Sequence, residues 1–275
     1  MPAPLLFERS SDIMYFDKLH GAGNDFILVD SVEAGWADRA EELCARRTGI
    51  GADGLVIVSR LSADPVVVDV AVFNRDGSVG PMCGNALRCV AWVVARDSSV
   101  AEMTLIMSGV EHQARVDAAG VWVTAEVGEV HSEFLRAEVD GHTMWFDSAY
   151  TGTEHMVTIV ENVDEVDVVR WGRVVRHDRA LPLGANVNFI EAVGPRELKI
   201  RTYERGVEQE TLSCGSGAVA AAAIASTRDL LEGDGQITVH NRSGTPLLVR
   251  PHSVRTARTR WLGGPVTHVF SGRLT

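Results

Sequence analysis

The sequence predicts an α+β fold with more strands than helices, arranged as two similar lobes. Three observations predict it: many short segments of alternating apolar residues, two helix-compatible runs that each follow a Cys-Gly pair, and the same order of elements in both halves. The 275 residues, 45% of them hydrophobic, allow about two domains of about 150 residues. A cleft between two lobes is the natural place for a ligand.

The predicted strands are short, alternate in polarity and are bounded by turn-forming residues. They cover residues 26–29, 54–58, 66–73, 103–107, 121–127, 144–146, 156–160, 187–191, 198–203, 237–239, 247–249 and 266–270.

Two helices are predicted, one after each Cys-Gly pair. The first follows Cys83, with apolar residues at helical spacing from Leu87 to Ala95. The second follows Cys214 and is rich in alanine from Ala218 to Ala225, which favours a helix that packs closely. Both are predicted to be buried central helices.

The two halves repeat one pattern of strand, polar loop, Cys-Gly and helix. In the first half, strand 66–73 leads into a turn, and Cys83 comes nine residues after Asn74. In the second half, strand 198–203 leads into a turn, and Cys214 comes nine residues after Arg205. The repetition indicates an internal duplication and gives both cysteines the same local setting.

A thiol at the start of a helix faces unpaired backbone donors and the positive end of the helix dipole, which favours a reactive cysteine. Two such thiols facing each other suit removal of a proton from one face of a stereocentre and its return to the other. Backbone donors at Gly84, Asn85, Gly215 and Ser216 could stabilise the intermediate carbanion. A rival interpretation is a binding or redox protein in which the cysteines form a switch.

Composition excludes several function classes. A net charge of -11 with scattered basic residues argues against nucleic acid as a partner. No apolar run reaches the roughly 20 residues of a membrane span, and residues 1–13 do not resemble a signal peptide, so we expect no membrane association and a cytoplasmic location.

The cysteine and lysine content favours chemistry without a metal or cofactor. No Cys-x-x-Cys or His-x-x-x-His spacing is present, so no metal site is predicted. Cys44 and Cys89 are expected to be buried structural thiols, and no disulfide is expected. With only two lysines, Lys18 and Lys199, few residues could hold a Schiff-base cofactor.

From near Met14 to its C-terminus the chain resembles the diaminopimelate epimerases, cofactor-independent enzymes that interconvert LL- and meso-2,6-diaminopimelate. The matching motifs are FDKLHGAGND (16–25), GIGADG (49–54), FNRDGS (73–78), MCGNALRC (82–89), NVNF (186–189), YERG (203–206) and ETLSCGSG (210–217). Several ordered motifs with the right cysteine spacing form a specific signal.

The resemblance implies the roles of individual residues. Cys83 and Cys214 become the acid and base, and Gly84, Asn85, Gly215 and Ser216 hold the reacting α-carboxylate and amine. The remaining substrate ligands it implies are Asn24, Asn74, Asn186, Glu204 and Arg205, with His155 and Glu204 as supporting polar groups. A bidentate pair between Arg205 and a distal carboxylate would distinguish diaminopimelate from lysine.

The resemblance also implies the architecture: two lobes, each a mostly antiparallel sheet wrapped round a central helix, with the active site in the cleft. One lobe comprises residues 14–128 plus 265–275 and carries Cys83; the other comprises 129–264 and carries Cys214. Residues 1–13 are expected to be an extension, and a homodimer is expected from the family.

The chain departs from the family pattern at three places. The family commonly has Gly-Asn-Pro-His where this chain has Gly152, Thr153, Glu154 and His155, so Thr153 replaces an asparagine at the distal end of the substrate, and Ala86 replaces a usual glycine. The loop between Glu204 and Cys214 is one residue longer than the commonest form. A racemase for another amino acid, such as a basic one or a specialised-metabolite precursor, is therefore the alternative function.

Overall fold

The structure is a computed structural model that describes residues 14–252 and 258–274. The predicted extension at residues 1–13 lies outside the described residues. The described residues separate into two units, one running to Val123 and resuming at Gly263, the other spanning Thr124–Leu262. No helix in the described ranges has the length and apolar character needed to cross a membrane.

The strands of the described residues are β1 (Tyr15–Gly21), β2 (Asn24–Asp30), β3 (Gly54–Ala63), β4 (Val66–Asn74), β5 (Glu102–Met107), β6 (Val110–Asp117), β7 (Gly120–Glu126), β8 (Val130–Val139), β9 (His142–Tyr150), β10 (Glu154–Ile159), β11 (Asn186–Gly194), β12 (Glu197–Glu204), β13 (Gln209–Thr211), β14 (Ile237–His240), β15 (Leu247–Pro251), β16 (Thr259–Gly264) and β17 (Val266–Arg273). The helices are α1 (Trp36–Cys44), α2 (Gly84–Ser98), α3 (Val168–Arg176) and α4 (Gly215–Thr227), with one 3₁₀ turn at Val163–Glu165.

The pairing of the strands shows the internal duplication. In the first unit the ladder β1-β2-β3-β4-β5-β6 alternates between antiparallel and parallel pairs, beginning with an antiparallel one. In the second unit the ladder β9-β10-β11-β12-β14-β15 alternates in the same order. The α+β fold with two similar lobes, predicted from the sequence, is confirmed.

Each unit has a central helix that packs against many of its strands. Helix α2 packs against β1, β2, β4, β5 and β6, and helix α4 packs against β9, β10, β11, β12, β14 and β15. The residues of α4 from Gly215 to Ala225 are all buried, as expected of a helix that is apolar on every side. Small alanine side chains let the surrounding strands approach it closely.

Two further helices, α1 and α3, were not predicted. Helix α3 buries Val168, Trp171 and Val175 along one face, and the Asp167 side chain accepts a hydrogen bond from the Arg170 N–H. A Cβ on Gly172 would lie 2.4 Å from the side chain of Tyr203 in β12, so this helix needs glycine at its contact with the sheet.

The last strand of the chain belongs to the first unit. Strand β17 pairs antiparallel with β1, with Tyr15 opposite Arg273 and Gly21 opposite Val266. Leu274 extends the ladder by donating its N–H to the Met14 carbonyl at 2.7 Å.

Candidate active site

Cys83 is the N-cap residue of α2, where the chain changes from extended to helical geometry. Its Sγ donates to Asn24 Oδ1 at 3.9 Å. Asn24 reaches this point because Ala22 and Gly23, with φ of 53° and 87°, turn the chain tightly between β1 and β2. The hairpin between β1 and β2 therefore places the Asn24 amide oxygen beside the half-buried Cys83 thiol.

A fully buried arginine holds the first turn of α2. Arg88 Nη2 donates to Asn85 Oδ1 at 2.7 Å, and Asn85 Nδ2 donates to Asn24 Oδ1 at 3.2 Å. Burial lowers the pKa of Arg88 to about 10, partly offset by the thiols of Cys89 and Cys83, so the guanidinium is still a cation near neutral pH. A Cβ on Gly21 would lie 3.1 Å from Arg88 Nη2, so a larger residue there would require the guanidinium to shift.

An ion-pair cluster orients the Asn24 amide. Asn24 Nδ2 donates to Asp53 Oδ2 at 3.0 Å, so its oxygen is the atom that faces Cys83. Arg46 bridges Asp53 and Asp25, both at 2.7 Å, and Lys18 pairs with Asp25 at 2.6 Å. Burial raises the pKa of Asp25, but hydrogen bonds from Arg46 and Lys18 outweigh it and hold that pKa well below its usual range. The Asp25 carboxylate therefore stays ionised and holds Arg46 beside Asp53, the acceptor of the Asn24 amide.

Asn74, also a predicted ligand, lies in the turn that follows β4. Its Nδ2 donates to Ser78 Oγ at 2.9 Å, and its backbone N–H donates to the Ser78 carbonyl at 2.8 Å. Its contacts are those of a turn-forming asparagine, and the side chain is exposed.

Cys214 is the N-cap residue of α4 and is buried. Its Sγ accepts a hydrogen bond from the Gly217 N–H at 3.4 Å and lies 3.5 Å from Ser216 Oγ. Thr151 Oγ1 donates to the Ser216 carbonyl at 3.2 Å and fixes this turn. The first turn of α4 therefore presents donors to the sulfur, as the start of a helix does to an anion.

Asn186 and Arg205 meet where β11 begins and β12 ends. The Arg205 backbone N–H donates to Asn186 Oδ1 at 2.8 Å, and Arg205 Nη1 donates to the Leu183 carbonyl at 3.2 Å. Among the described residues, no ion pair includes Arg205. Its guanidinium is therefore available to an added carboxylate. Glu204, the last residue of β12, is half-buried and lies opposite Gln209.

His155 and Thr153 bring unsatisfied polar atoms to the second unit. His155 pairs with Asn186 between β10 and β11 and is fully buried. Burial, with a smaller contribution from the Arg205 charge, lowers the pKa of His155 to about 3, so the ring is neutral. Within the described part of the chain, His155 Nε2 and Thr153 Oγ1 have no hydrogen-bond partner although both are buried.

The lowered pKa of His155 predicts a pH-dependent stability. Between the ordinary value of 6.5 and about 3, the unfolded chain binds a proton that the folded protein does not, so the free energy of unfolding falls as pH falls through this window. The slope from this group is at most about 1.4 kcal/mol per pH unit. Urea unfolding of the native protein and of His155→Gln at pH 7, 6 and 5 measures it. We expect the native protein to lose more stability than the variant, and parallel losses would contradict this.

The other two cysteines differ from Cys83 and Cys214. Burial raises the pKa of Cys44 to about 11 and that of Cys89 to about 12. Both stay protonated at neutral pH, which suits structural thiols.

The structure thus groups the predicted residues locally. Asn24 and Asn85 surround Cys83, Ser216 and Gly215 adjoin Cys214, and Asn186 contacts Arg205.

Sequence reasoning missed two buried polar residues, Arg88 and Asn188. Their signal was a strongly polar side chain inside an otherwise apolar helix or strand. Each unit offers a thiol beside backbone donors, an arrangement able to exchange a proton with a carbon acid.

Comparison with known proteins identifies clear relatives. A family model described as diaminopimelate epimerase matches residues 16–132 and 148–266. The diaminopimelate epimerase of Aquifex aeolicus is 35% identical over 280 residues, covering 95% of this chain and 98% of the relative. The diaminopimelate epimerase of Methanothrix thermoacetophila is 38% identical over 228 residues, covering 76% of this chain and 80% of the relative.

The fold is also similar to that of solved structures with little sequence identity. A probable proline racemase from Agrobacterium radiobacter K84 superposes with a TM-score of 0.75 at 12% identity, covering 95% of this chain and 93% of the racemase. At this identity the likeness concerns the fold alone.

Proposed function

The chain belongs to the diaminopimelate epimerase family, and we propose that it is an isomerase that converts LL-2,6-diaminopimelate to meso-2,6-diaminopimelate without a cofactor. The observation that carries the proposal is the cysteine at the N-cap of the central helix in each unit. The product serves lysine and peptidoglycan precursor synthesis.

In the proposed reaction the two thiols serve opposite faces of one α-carbon. One cysteine, as thiolate, takes the α-proton, so a C–H bond breaks and an S–H bond forms. The other, as thiol, returns a proton to the opposite face, and its S–H bond breaks as the new C–H bond forms. Exchange of protons with water restores the starting state, or the roles exchange for the other epimer.

The intermediate carbanion needs strong stabilisation because an α-proton of an amino acid is much less acidic than a thiol. Backbone N–H groups at Gly84, Asn85, Gly215 and Ser216, in the first turns of α2 and α4, support the proposal because such donors lack partners within the helix. They would bind the α-carboxylate, onto which the negative charge spreads.

Exchange of the α-proton tests the function directly. Reduced protein is incubated with LL-diaminopimelate in deuterated water, and α-proton loss is followed by NMR while chiral chromatography follows the meso product. We expect deuterium at the inverted α-carbon together with the meso isomer. Absence of exchange on diaminopimelate, with exchange on a basic amino acid, would show a racemase of different specificity.

Thr153 is proposed to bind the distal end of the substrate. Its hydroxyl is buried without a partner among the described residues, so Thr153→Val removes no hydrogen bond within the protein. We expect unchanged stability and a KM for diaminopimelate higher by roughly 10-fold or more, as for a lost hydrogen bond to a charged group. Steady-state kinetics measure the change. The matched control is Thr158→Val, a buried threonine in β10, and an equal KM for native and Thr153→Val proteins would remove the assignment.

The family resemblance also supports two expectations about the enzyme in the cell. We expect it to act in the cytoplasm, which cell fractionation tests. We expect it to form a homodimer, which light scattering coupled to gel filtration tests.

A further inference from the structure

The side-chain amide of Asn188 makes three hydrogen-bonding contacts in the interior of the second unit. It lies in β11 between Val187 and Phe189 and is completely buried. Its Oδ1 accepts from Thr202 Oγ1 at 3.0 Å, and its Nδ2 lies 3.1 Å from both the Met156 carbonyl oxygen and His155 Nδ1. A buried amide among apolar neighbours is retained only when such bonds offset its desolvation.

These contacts determine which nitrogen of His155 carries the proton. A backbone carbonyl can only accept, so the atom of Asn188 beside Met156 must be the NH₂ group. The second hydrogen of that group points to His155 Nδ1, which must therefore be an acceptor. In a neutral imidazole with Nδ1 as acceptor, the proton lies on Nε2.

The resulting Nε2–H is a buried donor with no partner among the described residues. The positive charge of Arg205 interacts electrostatically with the His155 ring, and a positive charge nearby favours an anionic acceptor. The proposed substrate carries two ammonium groups and two carboxylates, so its only strong acceptors are carboxylate oxygens.

Asn188 also contacts the turn that holds Cys214. A Cβ on Gly217 would lie 2.6 Å from Asn188 Oδ1, and the Gly217 N–H is the donor to Cys214 Sγ. One side chain thus packs against the start of α4 and orients the imidazole.

We propose that Asn188, held by Thr202 and the Met156 carbonyl, is a positioning residue that fixes His155 as the neutral Nε2–H tautomer, which donates to a carboxylate oxygen of the substrate. The donor role rests on the proposed function; the tautomer does not. His155 then acts as a hydrogen-bond donor and does not exchange the α-proton.

Nitrogen-15 NMR of ring-labelled histidine in the ligand-free protein at pH 7.5 tests the tautomer, with His155→Gln used to assign the signals. We expect a protonated, pyrrole-type Nε2 and a pyridine-type Nδ1. A pyrrole-type Nδ1 or a doubly protonated ring in the native protein overturns the proposal, and this result needs no variant of Asn188 to fold.

The variant Asn188→Asp replaces the donor to Nδ1 by a carboxylate acceptor. We expect the ring to gain a proton on Nδ1, whereas Thr202→Val keeps the Asn188 donor and serves as the matched control with the native pattern. An unchanged pattern in a folded Asn188→Asp protein contradicts the assignment.

The donor role is tested by His155→Gln, which keeps an N–H donor, and His155→Phe, which does not. Calorimetric binding of diaminopimelate, which needs no turnover, is expected to be at least tenfold tighter for the glutamine variant. Equal affinities overturn the donor role alone. Failure of the proposed function appears separately, as absence of α-proton exchange by the native protein.

Discussion

Replacing either Cys83 or Cys214 with alanine is expected to lower kcat/KM for diaminopimelate epimerisation by roughly 10²–10⁴-fold, the range for loss of a positioned acid or base. The reason is chemical: inversion needs one proton transfer at each face of the α-carbon, and a protein with a single thiol can carry out only one of the two. Formation of the meso isomer, followed by chiral chromatography, measures the loss, and wild-type turnover by either variant would falsify the two-thiol mechanism.

The two variants should differ in stability. Cys214 Sγ accepts the Gly217 N–H, so Cys214→Ala removes an N-cap hydrogen bond and is expected to cost about 1 kcal/mol. Cys83 makes no such cap bond, so Cys83→Ala should unfold at nearly the native urea concentration. A loss of activity with native stability separates chemistry from folding.

Cys89→Ala is the matched control because Cys89 lies on α2 with a fully buried side chain. Burial raises its pKa to about 12, which leaves it without thiolate character at neutral pH. We expect native kcat/KM and a stability loss of about 1 kcal/mol, typical of a small change in the core. If Cys89→Ala lost activity as Cys83→Ala does, the assignment of Cys83 would lose its support.

The fold was predictable because the same order of sequence features occurs in both halves of the chain. Cys83 and Cys214 each follow a strand and a polar turn and each begin an apolar helix, and the structure gives both units the same ladder. One half of the sequence alone would have left the position of its helix and the pairing of its strands ambiguous. Because the same order of elements recurs, the prediction for each half could be compared with that for the other.

Helix α3 was not predictable from local preference. Its sequence VVRWGRVVR is rich in β-branched residues and contains a glycine, both of which disfavour helices. Packing decides otherwise, since Val168, Trp171 and Val175 share one face and Gly172 admits Tyr203. Tertiary contacts here override propensity.

The candidate site was predictable in its residue types but not in its supporting contacts. The motifs indicated Cys83 and Asn24, but nothing in the sequence shows that Asp53 orients the amide or that Arg88 holds Asn85. The first contact joins residues 29 positions apart, and the second joins neighbours on one face of α2 whose side chains are fully buried or nearly so. Only the three-dimensional arrangement identifies them.

Replacing Arg205 with methionine is expected to raise the KM for diaminopimelate and to lower kcat/KM by roughly 30- to 1,000-fold, corresponding to about 2–4 kcal/mol for a lost bidentate carboxylate contact. Among the described residues Arg205 has no ion-pair partner, so its removal should change stability little. Arg205→Lys restores charge without the planar fork and should recover only part of the affinity.

Arg201→Met is the matched control for Arg205→Met, because we expect it to change the stability of the protein and not its KM. Arg201 pairs with Glu210 through two contacts of 2.7 and 2.8 Å and donates to the carbonyls of Val163 and Val166. Its loss removes these hydrogen bonds and leaves Glu210 with only the longer contact to Arg242 at 3.6 Å, so we expect lower stability with an unchanged KM. Urea unfolding and steady-state kinetics on both variants separate the roles. Equal KM values for Arg205→Met and Arg201→Met would mean that substrate recognition does not depend on the guanidinium of Arg205, and another group would have to bind the distal carboxylate.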